Sequence, residues 1–183
     1  MINRKEVIEE SLPILSIAAA ISILSGVFLG KNEELLRALP GILIIVPSFM
    51  SVNGNISSVV SSRLSSALHM GLVKPHFRRS KVLGQTIHSM LIVSVIAFLV
   101  LGIAAAAVNI LFGAETGTFM IFPIITLTAG LITVLILMFG SIFTSYLVYR
   151  HGIDPDNVVV PILTTAGDFV GITMLLLITA VVI

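Results

Sequence analysis

Residues 158–183 read VVVPILTTAGDFVGITMLLLITAVVI, and one residue among them is out of character. Every other position is apolar, hydroxylated, glycine or proline, whereas Asp168 is a carboxylic acid. The run is long enough to cross a hydrocarbon layer of about 30 Å as a helix. A charged aspartate at the centre of such a layer costs at least about 2.5–3.5 kcal/mol on insertion scales, so residues of this kind face an interior pathway and not lipid. Asp168 lies 11 residues after Asn157, which is about 16 Å of helix and close to the midplane.

The rest of the chain sets the solvent. Its 183 residues are 57% hydrophobic and 10% charged, with a mean hydropathy of +1.15, far from the balance of soluble domains. Cysteine is absent, which excludes a disulfide framework and thiolate metal sites. A net charge of +1 gives no reason to expect a nucleic-acid partner. The charges cluster at Arg4–Glu10, Lys31–Arg37, Lys74–Lys81 and Arg150–Asp156, with Glu115 alone between two apolar runs. Only Arg63 and Asp168 fall elsewhere. Five apolar stretches separate the clusters, at about 11–30, 40–68, 82–112, 118–149 and 158–183. Continuous apolar runs point to helices, since barrel strands would alternate. The expected fold is an all-α integral membrane protein: a short cytoplasmic segment, 1–10, and a five-helix membrane domain, 11–183. The first run is too long for a signal peptide and shows no small-residue cleavage site leading into a soluble domain.

Lys74, Arg78, Arg79 and Lys81 make the connection after the second span the most basic, which places it in the cytoplasm. The N-terminus and the 150–157 connection then lie inside, and the C-terminus outside. Tyr146 and Tyr149 would sit at the inner interface as aromatic anchors. A multi-pass protein of the cell (plasma) membrane is expected.

Two spans depart from plain hydrophobic helix. The second, VPSFMSVNGNISSVVSSRLSSALHMG, puts Pro47, Asn53, Gly54, Asn55 and many serines at membrane depth. Proline removes a backbone donor and glycine weakens a helix, so local breaks are expected at Pro47, Pro161 and Gly167, with carbonyls exposed near Gly54. The stretches VPSFMSVNGN and VPILTTAGD share a Val-Pro start, hydroxyls, then glycine with a small oxygen-bearing side chain, and interrupted helices in opposite orientations often build midplane sites. Arg63 is expected to snorkel toward the inner surface.

At these residues the sequence resembles the membrane domain of the MgtE magnesium-transporter family and the related animal solute-carrier magnesium transporters. In the second span the family pattern of Pro, six residues, Gly-Asn and then Arg-Leu is matched by Pro47, Gly54, Asn55, Arg63 and Leu64. Entering the fifth span, Asp154, Pro155, Asp156, Asn157, Pro161, Gly167 and Asp168 match the second motif. The resemblance implies a transporter, not an enzyme: a homodimer conducting divalent cations along a path between its halves, with Asp168 as the membrane aspartate. The family's bacterial members carry a long cytoplasmic region with paired CBS modules, whereas about ten residues precede the first span here. Regulation is therefore expected to be absent, supplied by a separate cytoplasmic protein, or carried on a part of a longer protein outside this sequence.

The chemistry agrees with that implication. Mg²⁺ takes oxygen ligands and keeps several of its waters, so one or two carboxylates suffice to hold it. Two copies of Asp168 near a dimer axis would be bridged by a divalent cation, with Asn55, the carbonyls near Gly54 and the hydroxyls of Thr164 and Thr165 around its water shell. Asp154, Asp156 and Asn157 lie at the inner mouth, where they attract cations or simply start the fifth helix, with Asp156 or Asn157 near its cap. Hard oxygen ligands suit Mg²⁺, Ca²⁺ and Mn²⁺ and offer nothing special to Zn²⁺. His69, His76, His88 and His151 are scattered, without the spacing of a zinc site. The cation is expected as cargo, with no resident cofactor. Two other readings of Asp168 stay open: a proton carrier in a coupled secondary transporter, or a hydrogen-bonding group in a non-transporting membrane assembly subunit.

Overall fold

The computed structural model describes residues 4–33, 40–73, 80–111, 119–153 and 155–182. The Lys74–Arg79 basic cluster, Glu115 with its loop, and Asp154 lie outside the described residues. Five long helices account for nearly all the rest: α1 (Arg4–Lys31), α2 (Pro40–His69), α3 (Lys81–Leu111), α4 (Ile121–Arg150) and α5 (Pro155–Val182). Within them Leu12–Lys31, Gly41–His69, Lys81–Leu111, Ile121–Arg150 and Val158–Val182 are long and apolar enough to cross a membrane. Helices of 28–31 residues measure about 42–46 Å, which spans the hydrocarbon layer and reaches the headgroups.

The spans match the hydropathy reading, and the ends differ for local reasons. α1 begins at Arg4, well before its apolar run, because Arg, Lys and Glu are good helix formers in the headgroup layer as in water. α5 starts at Pro155, whose missing N–H and fixed φ suit a first helical position. Asp156 and Asn157 thus lie inside the first turn and not at the cap. α2 and α4 stop in the same way. Gly71 (φ +69°) and Gly152 (φ +76°) turn into the left-handed region, and the amides of Leu72 and Ile153 donate back to the carbonyls of Ala67 and Val148.

α2, α4 and α5 pack against one another, with α3 laid against α2 and α4, and α1 against α5. The core is filled by Ile42, Ile45, Phe49, Phe98, Phe122, Ile125, Val134, Ile172 and Leu175, and the Phe49 and Phe98 rings sit 5.3 Å apart. α3 and α4 meet closely, since Thr126 Oγ1 donates to the Phe98 carbonyl across the pair at 2.9 Å. Ala105, Ala106, Gly102 and Gly130 are buried there, as small residues at membrane helix contacts usually are. Outward, α3 presents Ile92, Val93, Ile96, Val100 and Ile103, and α4 presents Leu135, Ile136, Phe139, Phe143 and Leu147. Those two faces are made for lipid.

The expected helix breaks are not found. α2 is helical through Pro47 and Gly54, and α5 through Pro161 and Gly167. A proline removes one N–H from a long ladder, and neighbouring hydroxyls cover carbonyls near it. Thr164 Oγ1 donates to the Val160 and Pro161 carbonyls at 3.0 and 2.9 Å, and Thr165 Oγ1 to Pro161 at 2.9 Å. Tyr146 is also not an interfacial anchor. It is buried with Leu64, Ala67, Leu68 and Val73, while Tyr149 is half-buried and its hydroxyl donates to the Leu68 carbonyl at 3.3 Å.

Candidate functional site

The two sequence motifs meet in space. A methyl group placed on Gly54 would sit 3.8 Å from Thr164 Cγ2, and one on Gly167 would sit 3.9 Å from the Gly54 amide nitrogen. α2 and α5 therefore cross with Gly54 against Thr164 and Gly167, at distances of ordinary contact. Asn55 and Asp168 each lie one residue beyond this crossing. Asn55 is exposed and Asp168 is half-buried, so both emerge at the level where the helices touch. Pro161, Thr164 and Asp168 recur at i, i+3 and i+7 and share one face of α5.

The structure separates the proposed ligand set into two groups. Asn55, Thr164 and Asp168 reach the open side. Asn55 has only a 3.5 Å contact from its Nδ2 to Ser51 Oγ, too long to fix the amide. Gly54 and Thr165 are buried. The Gly54 carbonyl accepts from Ser58 Oγ at 2.8 Å, so it is covered, and the exposed carbonyl expected from the sequence is not seen. Asp156 is exposed at the start of α5, where negative charge complements the helix dipole; Asn157 is described through its backbone alone. No ion pair joins Arg63 to Asp168 among the described residues. No group of three or more His, Asp or Glu able to hold a metal occurs among them either. His69 and His151 turn a ring nitrogen to the carbonyls of Ser65 and Leu147, at 3.0 and 2.8 Å.

What the sequence reading missed is that α2 has two polar faces. Asn53, Ser57, Ser61 and Ser65 recur every fourth residue and are buried. Asn53 Nδ2 donates to the Phe49 carbonyl at 2.9 Å, Ser57 Oγ to the Asn53 carbonyl at 2.9 Å, and Ser61 and Ser141 share a hydrogen bond of 2.9 Å between α2 and α4. Asn53 Oδ1 is buried and lacks a partner. The second face carries Ser48, Ser51, Asn55, Ser62 and Ser66, all exposed. Sorting the serines by helical phase would have revealed this division. Polar side chains turned outward at membrane depth are costly against hydrocarbon. The face formed by α2 and α5 thus differs from the lipid faces of α3 and α4: it needs water, an ion or another protein surface.

The MgtE family profile, described as a divalent cation transporter, matches residues 46–178, from α2 through most of α5. Solute carrier family 41 member 3 of Mus musculus is 27% identical over 180 residues, covering 90% of this chain and 36% of that protein. The Rattus norvegicus member 3 is likewise 27% identical, over 90% of this chain and 38% of its own length. Solute carrier family 41 member 2 of Homo sapiens is 27% identical over 79% of this chain and 26% of its length. The chain spans well under half the length of these relatives.

Proposed function

The chain belongs to the MgtE family of divalent cation transporters, and from that premise we propose that it carries divalent cations, Mg²⁺ foremost, along the open face of α2 and α5. The observation that carries this reading is a carboxylate, Asp168, at the crossing of two helices where Asn55 and Ser51 are exposed and Thr164 is partly so, among apolar neighbours such as Ile44 and Val59. Asp168 supplies the charge. Asn55 and Thr164 are placed to hold the water shell that a hard divalent ion keeps. Asp156, exposed at the start of α5, raises the local cation concentration at one mouth.

A single carboxylate leaves a divalent ion half neutralised. The transporting unit is therefore a two-fold homodimer of the plasma membrane, with the two open faces turned toward each other and two Asp168 side chains at the axis. This arrangement also removes Ser48, Ser51 and Asn55 from lipid. Gly54 and Thr165 act through packing, Gly54 against Thr164 and Thr165 by covering the Pro161 carbonyl.

The test is cation flux in proteoliposomes, comparing the native chain with Asp168→Asn. The variant keeps size and hydrogen-bonding capacity and removes only charge. Mg²⁺ flux is expected to fall at least a hundredfold, with the unfolding midpoint in detergent unchanged. Flux within a factor of two of the native chain would take Asp168 out of the pathway.

A further inference from the structure

Arg63 is the one basic residue of the described spans that lies well inside a helix. It is six residues from the end of α2 at His69, or about 9 Å along the axis. It forms no ion pair among the described residues. Its side chain borders a groove of about 270 Å³ between the last turns of α2 and the first turns of α3, lined in part by Ser62, Ser66, Thr86, Met70 and Leu72. Thr86 stands five residues into α3, so the two helices contribute from the same depth.

The groove is chemically mixed. The guanidinium and three hydroxyls border it together with Met70 and Leu72, which are 65% and 57% exposed. The hydroxyls of Ser62, Ser66 and Thr86 make no hydrogen bond among the described residues. Ser57, Ser58, Thr164 and Thr165, by contrast, all donate to a carbonyl of their own helix. A second groove of about 400 Å³, lined by Lys81, Gln85, His88 and Ser89 on α3, opens on the same side of the membrane.

We propose that the Arg63 groove binds an anionic phospholipid, with the guanidinium and the three hydroxyls on its phosphate and an acyl chain along Met70 and Leu72. A guanidinium presents a planar fork that matches two phosphate oxygens. From about 9 Å inside the end of α2, the long Arg63 side chain can snorkel outward to the headgroup layer. Phosphate at that level needs donors, and this groove holds uncommitted ones. Exposed apolar side chains in the same groove favour a lipid over a soluble anion. Lys81, on the adjoining face, adds to the positive field that attracts anionic headgroups.

The experiment uses the purified full chain in a neutral detergent. Its unfolding midpoint is followed on adding phosphatidylglycerol, phosphatidylcholine of the same acyl chains, or inorganic phosphate, and bound lipid is counted by native mass spectrometry. Phosphatidylglycerol should raise the midpoint by several degrees more than phosphatidylcholine, and phosphate alone should add nothing. Arg63→Gln should abolish that difference, and Ser66→Ala with Thr86→Val should weaken phosphatidylglycerol binding at least threefold. Equal effects of the two lipids would overturn the proposal. So would an equal effect of inorganic phosphate, or a full phosphatidylglycerol preference in Arg63→Gln, which would assign the lipid to the basic 74–79 segment. Should Arg63→Gln fail to fold, native phosphatidylglycerol affinity in the double variant overturns it by itself.

Discussion

Where α3 crosses α4, a methyl group on Gly102 would run into the backbone of Pro123 and the hydroxyl of Thr126, and one on Gly130 would lie 2.5 Å from the Phe98 ring. Where α2 crosses α5, a methyl on Gly54 would find Thr164 at 3.8 Å and one on Gly167 would lie 3.9 Å from the Gly54 amide nitrogen, while one on Gly171 would meet the Asn53 side chain at 3.3 Å. Both crossings use glycine in long membrane helices, yet one is closed to the limit of contact and the other has slack. The closed pair turns isoleucine, valine, leucine and phenylalanine outward. The slack pair turns serine and asparagine outward, with Asp168 half-buried, beside apolar Leu43, Ile44, Val59 and Ile162. Close packing without a polar face is what a lipid-facing scaffold requires. Slack beside a polar face is what a pathway for a hydrated ion requires, since such a path has to admit water and adjust around it.

The sharpest way to break this contrast is a methyl at each closed glycine. Gly102→Ala is expected to destabilise the protein by about 3 kcal/mol or more, at the top of the range for overpacked cores, because the atom it strikes is backbone and cannot rotate away. Gly130→Ala should cost less, since the Phe98 ring can tilt, although Phe98 is itself fully buried against Phe49. Denaturant unfolding in detergent measures both. A cost below about 0.5 kcal/mol for Gly102→Ala would show that the two crossings do not differ in tightness.

A smaller effect separates the two faces of α2. Ser61→Leu places a branched side chain where Ser61 is fully buried and bonded to Ser141, and should cost about 1–3 kcal/mol. Asn55→Leu, on the exposed side, should change stability by less than about 0.5 kcal/mol while lowering Mg²⁺ flux at least tenfold in proteoliposomes. Equal destabilisation by the two variants would mean that the outer face is packed as tightly as the inner one in the working protein.

How far these features are legible in the sequence follows from their range. The spans could be read because hydropathy over about 20 residues is a sum that no single contact overturns. Asp168 stands out because a carboxylate in that run has few structural excuses, and the flux test decides its role. Pro47 and Pro161 misled, since the loss of one backbone donor matters less in a long helix whose hydroxyls cover nearby carbonyls than it would in a short one. The pairing of Gly130 with Phe98, the burial of Tyr146 and the groove beside Arg63 depend on which helix lies opposite. Nothing local to those residues encodes it.

The smallest expected effect tests Gly54 itself. Gly54 is helical, and a methyl there falls 3.8–3.9 Å from Thr164, an ordinary contact. Alanine gains roughly 0.5–1 kcal/mol over glycine in a helix interior through backbone entropy, so Gly54→Ala should raise stability by up to about 1 kcal/mol, opposite in sign to Gly102→Ala. Its carbonyl already accepts from Ser58, and the methyl would point toward α5 and away from the open face that Asn55 and Ser51 occupy. Mg²⁺ flux should therefore stay within about twofold of native. If the variant folds with the expected gain but loses flux more than tenfold, the slack between α2 and α5 is itself needed for transport, and the two helices must close on each other during the cycle. If it folds less well than native, the crossing is as tight as that of α3 and α4, and the contrast between the two pairs fails.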